Sequence, residues 1–209
     1  MSLPNLYISA SCVISNHTVY RNKKKEFENR AADLSAFLLS VYQWLDPNYT
    51  KFHRMDRLSK LGWLAAEVLL KNEPGPGDYK PEEIGVVLSN ANGSLDTDYR
   101  YAETMKTIQS PSLFVYTLPN IAIGEICIRN RFKGENAFFI SEQFDADFIK
   151  QYVSNLINNN ILQVCICGWV ELLEEEYKAA LFLVEKKSGP GSTVFTAENT
   201  FNLYHQDNG

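Results

Sequence analysis

The sequence predicts a layered α/β fold, with a mixed five-stranded sheet covered by helices. Three observations carry this prediction. Short apolar runs alternate along the chain with longer segments whose apolar residues recur every three or four positions. Hydrophobic residues make up 45% and charged residues 22%, enough apolar material for a sizeable core. A length of 209 residues suits one domain, or two small ones tightly joined.

Residues 6–15 read as the first strand, and the basic stretch 21–25 as an exposed loop or helix approach. Residues 31–45 carry Leu34, Phe37, Leu38, Val41, Tyr42 and Leu45 at helical steps, and Asp46-Pro47-Asn48 ends that helix. Residues 56–71 are a second helix, with Leu58, Leu61, Leu64, Ala65, Val68 and Leu69 on one stripe and Gly62 and Ala66 permitting close packing. The Pro- and Gly-rich stretch 73–78 is a loop. Pro81-Glu82-Glu83 leads into a strand at 84–89, a turn at 90–93 and a polar helix at 94–108. Pro111 and Pro119 bracket an aromatic-rich connection, and residues 120–130 are apolar at helical spacing. After a turn at Gly134 come a strand at 137–140 and a helix at 143–158, stopped by Asn158-Asn159-Asn160. Residues 162–170 have the apolar continuity of a central strand, and residues 179–185 form the last strand. Residues 188–192 break it, leaving a polar tail at 188–209 after a domain spanning 1–187.

The net charge of −5 argues against nucleic acid as the main partner, because phosphate binding needs a basic face. Two local basic clusters stand out: Arg21, Lys23, Lys24 and Lys25, and then Arg129, Arg131 and Lys133. Arg54 and Arg57 are expected to pair with Asp56 or Glu67, and Glu174-Glu175-Glu176 to form a solvated face. Cys12, Cys127, Cys165 and Cys167 all sit in apolar runs, which reads as buried thiols in a reducing compartment. Cys165 and Cys167 share a strand face, while His17, His53 and His205 are scattered, so neither a metal site nor a cofactor is expected. No signal peptide is visible, and no apolar run approaches the roughly 20 residues of a membrane helix. The expectation is a cytoplasmic protein with no membrane partner.

Ser141-Glu142-Gln143-Phe144-Asp145-Ala146-Asp147 is the most informative segment. A strand that turns into a helix exposes a side chain at the helix N-terminus, where many enzymes mount a nucleophile. The exposed position here carries glutamine, which cannot attack a carbonyl at neutral pH.

Several motifs, in order, resemble the N-terminal half of a β-ketoacyl-[acyl carrier protein] synthase, a thiolase-like condensing enzyme. They are Met55-Asp56-Arg57-Leu58-Ser59 with Ala65-Ala66-Glu67, then Gly85-Val86-Val87-Leu88-Ser89 with Asn92-Gly93. Ser110-Pro111, Leu118-Pro119-Asn120 and Gly124 follow, and the run at 179–185 closes the set. Counting back from Cys167-Gly168-Trp169-Val170, the resemblance places the catalytic cysteine opposite Gln143, with Ser141, Glu142, Phe144 and Asn120 as binding residues. The histidines and lysine of the family's second half have no counterpart here. Chain-length factors, the inactive partners of some ketosynthases, carry glutamine at this position, as do loading modules that decarboxylate malonyl groups.

The resemblance implies a catalytically incomplete subunit that partners a full ketosynthase in fatty-acid, polyketide or polyene-type synthesis. Its partners would be an acyl carrier protein and a full-length ketosynthase or a second copy, paired edge to edge through Phe138 and Phe139. The basic clusters would steer the acidic carrier protein. One alternative is a malonyl- or acyl-carrier-protein decarboxylase or acyltransferase, in which the Gln143 amide donates to a thioester carbonyl. Glu142, Asp145 and Asp147 would repel a malonyl carboxylate there. Another is a scaffold without lipid chemistry, which a filled space around Gln143 would favour and an open apolar tunnel would oppose.

Overall fold

The computed structural model describes residues 5–31, 33–71 and 79–206. The loop expected at 73–78 lies outside the described residues. Among these residues the strands are β1 (Tyr7–Ser15), β2 (Thr18–Arg21), β3 (Lys24–Glu28), β4 (Ile84–Asn90), β5 (Asn136–Ile140), β6 (Val164–Leu173), β7 (Glu176–Glu185) and β8 (Thr193–Val194). The helices are α1 (Leu34–Leu45), α2 (Arg57–Leu70), α3 (Leu95–Thr104), α4 (Pro111–Val115), α5 (Ile121–Asn130), α6 (Ala146–Asn158) and α7 (Ala197–Tyr204).

All strands join one sheet in the order β3-β2-β1-β7-β6-β4-β5, with β8 pairing the start of β1. The five strands expected from sequence lie side by side as β1-β7-β6-β4-β5. β4 pairs in parallel with both β5 and β6, and β7 runs antiparallel to both β6 and β1. Hence β1, β4, β5 and β6 share one direction, and β7 opposes them.

Three strands were not legible as such. The basic stretch at 21–25 is the turn of a β2–β3 hairpin, not a loop or helix approach. Asn22 and Lys23 adopt positive φ there, as a tight two-residue connection requires. The segment after 187, expected as a polar tail, carries β8 and α7. Phe195 and Leu203 are buried, and the Thr196 hydroxyl accepts from the Asn199 N–H at 3.1 Å to cap α7.

Side chains alternate across the sheet into two cores. On one face Cys12, Ile14, Val86, Leu88, Ile166 and Leu181 meet α1, α2 and α5. On the other Val87, Cys165, Cys167, Trp169, Phe182 and Val184 meet α6 and α7. Both faces are covered, which explains why β4 is buried throughout and reads as a continuous apolar run. Cys165 and Cys167 do share a face, as their spacing requires. Asp residues start three of the helices: Asp33 accepts from Ala36, Asp56 from Ser59 and Asp145 from Phe148, at 2.8, 3.0 and 2.8 Å.

Arg57 does not pair with Asp56 or Glu67. It is buried, and its guanidinium binds Asp96 of α3 in bidentate fashion and Glu175 of the β6–β7 turn at 3.1 Å. Glu175 also accepts from the Leu34 N–H at 3.3 Å, so the acidic run 174–176 is more than a solvated face. Glu67 pairs with Arg129 instead, at 3.1 Å.

Gly168 tolerates no side chain. Its φ is +147°, and a Cβ there would lie 2.0 Å from the Ala180 carbonyl oxygen on β7. Gly168→Ala is expected to cost about 3 kcal/mol or more, read as a lowered urea midpoint.

Burial raises the Asp56 carboxyl above its ordinary range, opposed by hydrogen bonds from Ser59 and Thr97 and reinforced by the nearby Asp96 charge. A carboxyl with a raised folded-state pKa contributes stability below its unfolded pKa and loses it as pH climbs through the folded value. Asparagine keeps the capping acceptor. Asp56→Asn should therefore match or exceed the parent's thermal midpoint at pH 7, with the difference shrinking toward pH 4.

Candidate functional site

Strands that share a direction deliver their carboxyl ends to one edge of the sheet, where open α/β folds bind ligands. Here that edge gathers Ser15 and Asn16 after β1, Ala91 and Asn92 after β4, Glu142–Phe144 after β5, and Trp169 and Glu171 near the end of β6. Together with Tyr177, Lys178 and Tyr204 they line an open cleft of about 470 Å³. A second open cleft, of about 650 Å³, lies on the far side of residues 142–144, between the start of α6 and α7.

Helix α6 begins three residues later than its periodicity predicts. A five-residue connection, 141–145, separates it from β5, so the junction is a loop and not a one-residue bend. Three bonds hold this loop. The Ser141 N–H donates to the Asn90 carbonyl at 2.9 Å, the Ser141 hydroxyl to the Gln143 carbonyl at 3.0 Å, and the Phe148 N–H to Asp145 at 2.8 Å. Gln143 and Glu142 are exposed, while Phe144 turns inward. The structure thus brings Ser141, Glu142, Gln143 and Phe144 together. Asn120 stands apart: it precedes α5 and lines neither cleft.

Aromatic rings surround Phe144, the neighbour of Gln143. Phe144 stacks on Tyr204 at 4.4 Å and meets Trp169 edge-on at 6.2 Å and Phe182 at 6.3 Å. The Lys178 ammonium sits over the Tyr204 ring at 4.4 Å. Phe139 of β5 makes edge contacts with Phe148 and Tyr152 of α6 at 4.8 and 4.9 Å. The surroundings are acidic: Glu142, Asp145, Asp147 and Glu198 border one cleft, and Glu171 and Glu176 the other.

Glu171 is a residue that sequence reasoning missed. Its carboxylate accepts from the N–H groups of Ala91, Asn92 and Leu172 and from the Asn92 amide, at 2.6–3.2 Å. It clamps the turn after β4 against β6. Asn92-Gly93 marked that turn in the sequence, but no local pattern announced its distant acceptor. Tyr204 was missed because its segment read as tail.

None of the four cysteines lines either cleft. Cys12, Cys165 and Cys167 are fully buried on strands, and burial pushes each thiol well up. Cys127 is partly buried on α5, its thiol pushed up to about 11 by burial. Burial also raises Tyr177 to about 12.

No family model matches the chain, and no curated protein does. Solved structures do. The ishigamide ketosynthase/chain length factor superposes with a TM-score of 0.62 at 17% identity, over 87% of this chain and 62% of that one. An acyl-carrier protein in complex with its ketosynthase, from a type II polyketide system, gives 0.60 at 16% identity, over 88% and 64%. A ketosynthase in complex with its chain length factor from Xenorhabdus doucetiae gives 0.58 at 12%, over 88% and 80%. At these identities the likeness is one of fold: the architecture is similar to that of ketosynthase and chain-length-factor structures, and the chain spans 62% of the length of the first of these.

A thiol-labelling reagent applied to the folded protein at pH 7 should modify Cys127 slowly and leave the other three untouched until denaturant is added. Fast labelling of any thiol would contradict the burial described.

Proposed function

We propose that the chain is a catalytically silent ketosynthase-like subunit, the partner of a full ketosynthase in fatty-acid, polyketide or polyene-type assembly. One observation carries this: the exposed Gln143 stands where the resemblance puts a cysteine, next to a Phe144 ring packed on Trp169, Phe182 and Tyr204. Among the described residues, no cysteine lines either cleft beside it. The acidic rim further disfavours an anionic malonyl group, which weighs against decarboxylation assisted by the Gln143 amide. The same packing supports a scaffolding role, with assembly rather than chemistry as the contribution.

Assembly has a surface. β5 ends the sheet with one side unpaired, and its residues Asn136, Ala137, Phe138, Phe139 and Ile140 carry no charge. The opposite edge strand, β3, exposes Lys24, Lys25 and Glu26, charges that discourage strand addition. Pairing therefore belongs to β5, through Phe138 and Phe139, with a ketosynthase or a second copy as the other strand. The basic turn of the β2–β3 hairpin is the surface offered to an acidic carrier protein. Buried, unbridged thiols fit a reducing cytoplasm. No helix among the described residues is long and apolar enough to cross a membrane.

Two measurements test this reading. Malonyl-carrier protein incubated with the chain should release carbon dioxide at the background rate, and release that disappears in Gln143→Ala would restore the enzyme reading. Ile140→Lys, at the exposed end of the uncharged edge strand, should abolish recovery of a co-expressed ketosynthase while changing stability by no more than about 1 kcal/mol.

A further inference from the structure

Residues 94–118 are attached to the body in an unusual way. Of these residues only Ser94, Asp96, Thr97 and Tyr116 are buried. Helices of a layered protein ordinarily bury an apolar stripe. Here α3 buries only Asp96 and Thr97, and α4 buries nothing. The apolar side chains face outward instead: Tyr99, Met105, Ile108, Phe114, Val115 and Leu118 are all exposed, Ile108 by 86%.

Polar contacts at the base do the holding. Asp96 accepts from the Arg57 guanidinium and, at 3.1 Å, from the Glu174 N–H of the β6–β7 turn. The Thr97 hydroxyl donates to the Asp56 carboxylate at 2.6 Å. The Ser94 hydroxyl donates to the Thr117 carbonyl at 2.7 Å and so ties the two ends of the segment to each other. Tyr116 adds a single ring, with its hydroxyl donated to Glu125 of α5 at 3.0 Å. Gly93, at φ +58°, precedes the segment, and Pro119 follows it.

Apolar burial is lost gradually as surfaces part, whereas a geometrically exacting ion pair is lost in one step. A closed segment secured mainly by such contacts opens separately from the core, at lower cost than global unfolding. We infer that residues 94–118 form a latched arm that swings from the body as a unit, with Asp96–Arg57 and Thr97–Asp56 as the latch and Gly93 and Pro119 as hinges. The arm continues directly from the Asn92 turn on the wall of the cleft, so its opening widens the approach to Gln143. This holds whether or not a ketosynthase is the partner.

Native-state hydrogen exchange of the full chain tests the arm. The helical amides of α3 and α4 should exchange together, at least about 100-fold faster than those of β6, through an opening insensitive to low denaturant. Asp96→Asn should accelerate α3 and α4 by a further factor of about 10 while they stay well ahead of β6, and the milder Thr97→Val should act in the same direction. Exchange of α3 at the rate of β6 in the parent protein, or no acceleration of α3 and α4 in either variant, would overturn the proposal.

Discussion

Four strands that run the same way fix where anything of interest can happen. β1, β4, β5 and β6 release the chain at one edge of the sheet, and every loop there must turn within a few ångströms of its neighbours. The Glu171 clamp, the loop bearing Gln143 and the turn bearing Asn92 are consequences of that convergence. β7 stands between β1 and β6 and runs against both. The tight approach at Gly168 locks β6 to β7.

The same edge is fitted out for packing. Phe144 points down from the loop into a stack that Tyr204 closes from above the sheet and Lys178 covers. The Phe144 side chain is thereby secured by three aromatic partners. Carboxylates crowd the rim and only one lysine answers them. Chemistry that gathers negative charge on a thioester needs the opposite arrangement of hydrogen-bond donors and cations.

Much of the architecture was legible in the residues, for particular reasons. The five strands found contiguous in the sheet were the short apolar runs that lack helical spacing, and α1 and α2 announced themselves through their apolar stripes. What escaped notice was set by tertiary context. Arg21–Lys25 reads as loop because β2 and β3 are an exposed edge hairpin that buries little. The stretch after 187 reads as tail because α7 needs only Phe195, Leu203 and Tyr204 to dock. The start of α6 was misplaced because Gln143 and Asp145 are equally acceptable near a helix start. Only the carboxylate bond to Phe148 decides between them. Ser141, Glu142, Gln143 and Phe144 are consecutive, so any cleft at that loop gathers them together. Asn120 lies apart because its position depends on where α5 docks, which no local pattern encodes.

The two rims of the sheet are chemically unlike, and that difference limits how large an assembly can grow. A ribbon that can be extended from both margins propagates without end, as in fibrils. Here lysines and a glutamate guard one margin, and only the other will accept a neighbour. Joining two such bodies consumes both receptive margins and presents guarded ones outward. In the proposed assembly, association would thus terminate at a pair, and a cell would accumulate the protein without seeding polymers.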